Sequence, residues 1–189
     1  LNSEEWLKFK MICPKILKAM LNDVGVRGYT RKTDWRNKKN LRVNNCQVSP
    51  NSHNDWNNIG DDYEKLKDYG NAIKGFTQST LVKPNYADAY NNVGSAYFSK
   101  RDYGKAIFNY KKAIEISPIY IDAWKNLGSS YGANQDFDNS IAAFRKAVEL
   151  DPNNAEINYF LGITYQNKGD ALNANTYLSK AYELNPSLK

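Results

Sequence analysis

The sequence predicts an all-α protein built from repeated helix pairs, and two observations carry this prediction. Prolines recur every 34 residues, and a glycine stands 24 residues before each of them. Between these points, apolar residues recur at the spacing of helices that bury one face. A period of this length marks repeat proteins, in which each unit packs against its neighbours to form an α-solenoid. The glycine and proline pairs are Gly60 and Pro84, Gly94 and Pro118, Gly128 and Pro152, and Gly162 and Pro186.

Each repeat carries further residues at fixed places. We expect the glycine to let a second helix approach the first, and the large side chains to pack in the core. The fourth repeat departs from the pattern, which we interpret as relaxation at the end of the array. Four residues before the glycine stand Trp56, Tyr90, Trp124 and Asn158, and three residues after it stand Tyr63, Tyr97, Tyr131 and Tyr165. Twelve residues before the proline stand Ala72, Ala106, Ser140 and Ala174, and eight residues before it stand Phe76, Tyr110, Phe144 and Leu178.

A recurring aspartate predicts where the second helix of each repeat begins. Aspartate accepts hydrogen bonds from the unpaired N–H groups of a helix start, and its charge suits the positive end of the helix dipole. The proline that follows each second helix is expected to end it. The aspartates are Asp68, Asp102, Asp136 and Asp170.

The whole pattern resembles the tetratricopeptide repeat, W-x2-L-G-x2-Y followed by A, F and P. Four copies span residues 53–86, 87–120, 121–154 and 155–188, so the repeats occupy 53–188. The resemblance implies a right-handed α-solenoid of antiparallel helix pairs, the TPR superhelix. It also implies a non-enzymatic scaffold that binds an extended peptide or a partner helix in a concave groove lined by the first helices.

An asparagine lies two residues before the glycine in three repeats, at Asn58, Asn92 and Asn126. This series resembles the asparagine ladder in the superhelical arrays of O-linked N-acetylglucosamine transferases, whose amides hold the backbone of a bound peptide. The resemblance implies the same role for these three residues. Because an amide both donates and accepts, it can pair with peptide groups whatever the side chains are. The ladder is expected to stop at Phe160.

Other residues on the predicted groove face set its charge and selectivity. Asp88 and Asp122 are expected to favour basic or hydroxyl-bearing peptides. Asn91 and Lys125, one residue before the ladder positions, are expected to tune selectivity. A clamp for an acidic chaperone tail is disfavoured, because Lys125 is the only basic residue at the corresponding places.

The groove face of the fourth repeat is apolar instead. Tyr159, Phe160 and Ile163 predict an anchor patch for a partner or for a flanking segment, with burial against the neighbouring repeat as the alternative. The last helix is expected to expose part of an apolar face, which favours either a truncated array or self-association through the C-terminal repeat.

Residues 1–52 are predicted to be a basic segment of unknown fold with helical and linker stretches. They hold 11 basic against 4 acidic residues, a net charge of +7, whereas the remaining residues hold 15 against 16. Seven basic residues in 24–43 are interleaved with Tyr29 and Trp35, a pattern that can bind phosphates and bases. A nucleic-acid-binding adaptor is therefore an alternative, although polar basic segments are more often appendages.

The composition offers little material for catalysis. His53 is the only histidine, Cys13 and Cys46 have no metal-ligand spacing, and neither a glycine-rich phosphate loop nor a nucleophile with a paired base is found. We expect no enzyme activity, cofactor or metal, no transmembrane segment and a cytoplasmic location. The first residue is leucine, so a leader could be missing from this sequence. A second alternative is that the chain is the substrate-recognition portion of a larger enzyme, such as a glycosyltransferase.

Overall fold

The computed structural model describes residues 52–189, which contain eight α-helices and a short 3-10 helix, with no strand in that range. The all-α prediction is confirmed. Predictions that concern residues 1–51, including the basic arm and both cysteines, lie outside the described residues. The elements are α1 (His53–Lys65), α2 (Tyr69–Val82), α3 (Ala87–Ser99), α4 (Tyr103–Ile116), α5 (Ile121–Ala133), α6 (Phe137–Leu150), α7 (Ala155–Lys168), α8 (Ala171–Leu184) and the 3-10 helix Pro186–Leu188.

The helices belong to two compact units, and each is described by itself. The first unit contains the hairpin of α1 and α2. The second unit, Asn85–Lys189, contains three hairpins, α3 with α4, α5 with α6 and α7 with α8. Within it α4 also packs on α5 and α6 on α7, so the hairpins stack in chain order. This order confirms the predicted solenoid class, in which neighbouring units bury each other's apolar faces.

Each second helix begins at the predicted aspartate. Its carboxylate accepts a hydrogen bond from the backbone N–H three residues later. The other carboxylate oxygen accepts from the side chain of that same residue, at 2.6–2.8 Å. These bonds lower the pKa of Asp102 and of Asp170, because they favour the ionised carboxyl. The side-chain donors are Asn71, Lys105, Asn139 and Asn173.

The glycine of each first helix faces the large side chain eight residues before the proline. A Cβ added to Gly94 would lie 2.7 Å from the ring of Tyr110, and one added to Gly128 would lie 2.8 Å from Phe144. Gly60 meets Phe76 and Gly162 meets Leu178 in the same way. The rings of Phe76, Tyr110 and Phe144 are buried, so the expected close approach is between a glycine and a large core side chain.

Asn158 has a specific role in the fourth repeat, which the expected end-of-array relaxation did not anticipate. The indole nitrogen of Trp124 donates to the carbonyl oxygen of Pro118 at 2.8 Å. At the equivalent place, the amide of Asn158 donates to the carbonyl oxygen of Pro152 at 3.1 Å and to that of Asn154 at 2.8 Å. Asn158 therefore replaces the aromatic ring but keeps the donor. Its own carbonyl oxygen is buried without a hydrogen-bond partner.

Besides Leu178, the last helix, α8, differs from the other second helices at a further packing position. Ile73, Ile107 and Ile141 share the place held by Asn175 in α8. Ile141 is buried in the core, whereas Asn175 is exposed. Leu172 and Leu184 are the exposed large apolar residues of α8. Self-association through this repeat stays a prediction.

The loop between the helices of each repeat contains a left-handed residue immediately before the aspartate. Lys67, Arg101 and Gln135 have φ of 59–63°, and the fourth place is held by Gly169. Residues with a side chain are strained in this region, whereas glycine is not.

We expect Gln135→Gly to raise the free energy of unfolding by about 1 kcal/mol, because glycine removes the cost of the left-handed backbone at an exposed position. Urea unfolding followed by circular dichroism measures the change. The matched variant Gly169→Ala should lower stability by a similar amount; a loss of stability in Gln135→Gly would contradict the argument.

We expect Asn158→Asp to lower the free energy of unfolding by about 3 kcal/mol, because it replaces a buried donor by a carboxylate facing two carbonyl oxygens. Burial raises the folded-state pKa of the introduced carboxyl above its unfolded value. The penalty is therefore complete above the folded-state pKa and declines as the pH falls towards the unfolded one. Unfolding curves across this pH range test the sign, with Asn167→Asp at an exposed site of α7 as control.

Candidate peptide-binding surface

The first helices of the second unit lie side by side. Helix α5 contacts both α3 and α7, so residues at equivalent places on these helices share one face. In the first unit, Asn58 lies half-buried on α1, one residue before the buried Ile59. The other two predicted ladder residues, Asn92 on α3 and Asn126 on α5, are also half-buried.

The carboxamide of Asn126 is held by a neighbouring repeat. Its Nδ2 donates to Oδ1 of Asn91 on α3 at 3.1 Å. Asn91 is only 8% exposed, so most of its surface is covered by the fold. The hydroxyl of Ser130 donates to the backbone carbonyl of Asn126 at 2.9 Å. The structure thus brings together the ladder residue Asn126 and the predicted selectivity residue Asn91.

Exposed carboxylates lie on each of the three first helices of the second unit, α3, α5 and α7. Asp88, Asp122 and Glu156 each lie in the first turn of their helix. Burial of the Tyr120 phenol, together with the charge of Asp88 and a hydrogen bond to it, raises the pKa of Tyr120 well above its usual value. Tyr120 therefore remains a neutral donor to the Asp88 carboxylate at any physiological pH.

Lys125 on α5 pairs with carboxylates of two repeats. Its Nζ lies 3.0 Å from Glu156 and 3.5 Å from Asp122. Partial burial of the ammonium lowers its pKa, but hydrogen bonds to Glu156 and Asp122 and their charges outweigh this effect and raise the pKa of Lys125. The lysine therefore offsets part of the negative charge of this surface, where it stands against three carboxylates.

The predicted apolar anchor residues of α7 are half-buried. Phe160 packs against the core and stacks on Phe144 with 6.0 Å between ring centroids. The ring of Tyr159 lies edge-on to that of Phe160, and its centroid is 6.4 Å from the centroid of the Tyr182 ring. Ile163 lies one turn further along the same helix. Phe160 thus contributes to packing, while the anchor role of the patch stays a prediction.

Sequence reasoning missed two contacts of this surface, Asn91 with Asn126 and Tyr120 with Asp88. The first joins α3 to α5, and the second joins α3 to the residue immediately before α5. The repeat period provided a signal, because residues separated by one period lie at equivalent places on adjacent units. Within residues 52–189, no cluster of metal-ligating side chains occurs and no helix is long and apolar enough to cross a membrane.

Comparisons with known proteins support the repeat architecture. Models described as tetratricopeptide repeat match residues 56–86, 87–120, 121–154 and 143–174, which confirms the resemblance to that family. A comparison with curated proteins gave no significant match. The more specific resemblance to glycosyltransferase arrays stays a prediction.

Several solved structures share the fold. A crystal structure of MamA has a TM-score of 0.69 and 26% identity, covering 74% of this chain and 82% of its own. The fragment of MamA from residue 41 to the end, from Desulfovibrio magneticus RS-1, has a TM-score of 0.67 and 26% identity, covering 72% and 77%. The first tetratricopeptide domain of Spaghetti (RPAP3), bound to the HSP90 peptide SRMEEVD, has a TM-score of 0.62 and 23% identity, covering 66% and 98%.

Proposed function

Because the chain belongs to the tetratricopeptide repeat family, we propose that it is a non-catalytic interaction scaffold whose first helices bind an extended segment of a partner protein. The main support for the proposal is that Asn92 and Asn126 occupy equivalent places on α3 and α5. These two helices are in contact with each other. The RPAP3 domain, which shares the fold, binds a peptide and so provides an example of this use.

The amides of Asn92 and Asn126 suit recognition of a peptide backbone. Each carries donors and an acceptor, the complement of a peptide C=O and N–H. Binding through the main chain does not depend on the partner's side chains, so these residues would supply affinity without sequence selectivity. Asn58 holds the same sequence position on α1, and we extend the role to it on that ground alone.

The charges around the amides favour a partner segment with basic side chains. Asp88, Asp122 and Glu156 are exposed, and the nearby Lys125 is already paired with two of them. The surface therefore has a net negative charge and attracts lysine or arginine. An acidic segment such as SRMEEVD, with three acidic residues, would meet repulsion here.

The backbone role is tested with peptides selected from a random display library against the full chain. Asn92→Ala and Asn126→Ala should each weaken binding by about 0.5–1.5 kcal/mol, because each removes a hydrogen bond to the peptide. Isothermal titration calorimetry measures the affinity. The loss should be similar for peptides of unrelated sequence, since the contact is to the main chain.

Asn175→Ala is the matched control, because Asn175 is an exposed asparagine on a second helix, α8. It should leave the affinity unchanged. Failure of the full chain to select any peptide, or equal affinities for Asn92→Ala, Asn126→Ala and the unmodified protein, would reject the proposal.

The charge preference has a separate test. Asp122→Asn should weaken binding of a lysine-containing peptide about 2- to 5-fold at low salt, and Lys125→Met should strengthen it, because they change the net charge in opposite directions. Both effects should shrink at about 0.5 M salt. Equal affinity of the two variants for this peptide at low salt would contradict the preference.

A further inference from the structure

We propose that Asn91 is a positioning residue, which orients the carboxamide of Asn126 so that its carbonyl oxygen is presented to the main-chain N–H of a bound peptide. This inference rests on the proposed function and assigns Asn91 a role other than direct contact with the peptide. It starts from the 3.1 Å hydrogen bond between Nδ2 of Asn126 and Oδ1 of Asn91.

The bond fixes which end of the Asn126 amide faces the ligand. A carboxamide turned by half a rotation about its last bond would place its own oxygen against Oδ1 of Asn91. Two acceptors would then face each other, and the buried oxygen of Asn91 would lose its donor. The orientation with nitrogen towards Asn91 is therefore favoured, and the second N–H and the oxygen of Asn126 remain for a ligand.

The burial of Asn91 explains why it can act as a fixed reference. At 8% exposure on α3, its side chain is confined by surrounding atoms, whereas Asn126 is half-buried. A side chain that is already oriented loses less conformational freedom when the peptide binds. Asn91 thus contributes to affinity through Asn126, from a position that offers little surface to the peptide.

The next junction of the second unit shows the contrast. The places equivalent to Asn91 and Asn126 are held there by Lys125 and Phe160. A lysine and a phenylalanine cannot form an amide pair, and Lys125 bonds to Glu156 instead. Where the ladder amide is replaced by a ring, its orienting partner is also replaced.

A double-mutant cycle distinguishes positioning from direct contact. The probe is a peptide without charged side chains, selected from a random library against the full chain. Asn126→Ala should weaken its binding by a factor of about 2 to 12, the loss of one hydrogen bond. Asn91→Leu should weaken it about 2- to 5-fold in the unmodified background, and by less than about 1.5-fold when Asn126 is already alanine.

Asn91→Asp is the conservative variant, because its carboxylate can accept the same bond from Asn126; it should bind the uncharged peptide within about 2-fold of the unmodified protein. Circular dichroism identifies any variant that fails to fold. If Asn91→Leu fails to fold, the affinity of Asn91→Asp is compared with that of the unmodified protein instead. Side-chain amide NMR of Asn126 gives a readout without peptide: nuclear Overhauser effects from its Nδ2 protons should indicate one χ2 orientation in the unmodified protein and in Asn91→Asp, and an average of two orientations in Asn91→Leu.

The outcomes separate the two proposals. If Asn126→Ala does not change the affinity, the proposed peptide-binding function fails. If Asn126→Ala weakens binding but the effect of Asn91→Leu persists undiminished in that background, Asn91 contacts the peptide directly and the positioning role is overturned. A single, unchanged χ2 orientation of the Asn126 amide in Asn91→Leu overturns it as well.

Discussion

The contact between a glycine of each first helix and a large side chain of the following helix is the constraint on which the hairpins depend. At Gly94 and Gly128 there is no space for a Cβ, because the rings of Tyr110 and Phe144 occupy it. This contact sets how closely the two helices approach. It also fixes the position of the residue two places earlier in the first helix, which is Asn92 or Asn126. Core packing and the candidate surface are thus determined together.

Much of this fold could be predicted because the same residue type recurs at the same place in several repeats, so that each structural role is indicated more than once. The aspartate caps and the helix ends before proline follow from local chemistry that recurs with the period. The hydrogen-bonding role of Asn158 was not predicted, because its sequence neighbours do not reveal that a carbonyl of the preceding turn accepts from this position. The partner of Asn91 was not predicted either, because the period indicates which places of neighbouring repeats are adjacent but not which side chains bond to each other.

The candidate surface derives its properties from pairs of repeats and not from single ones. The side chain of Asn126 donates to Asn91 of the preceding repeat, and Lys125 donates to Glu156 of the following repeat. Each pair joins neighbouring hairpins of the second unit. The orientation and charge that a ligand would meet therefore depend on correct stacking, as well as on the residues of any one helix.

Trp124 links the packing of adjacent hairpins more directly. It lies against the cluster that includes Tyr110 and Leu127 and also against the cluster that includes Phe144 and Leu161. In a linear array, such shared contacts act as coupling energies between neighbouring units and make them unfold together. The second unit should accordingly behave as one cooperative block around Trp124, with slow amide hydrogen exchange spreading from α5 into both neighbouring hairpins.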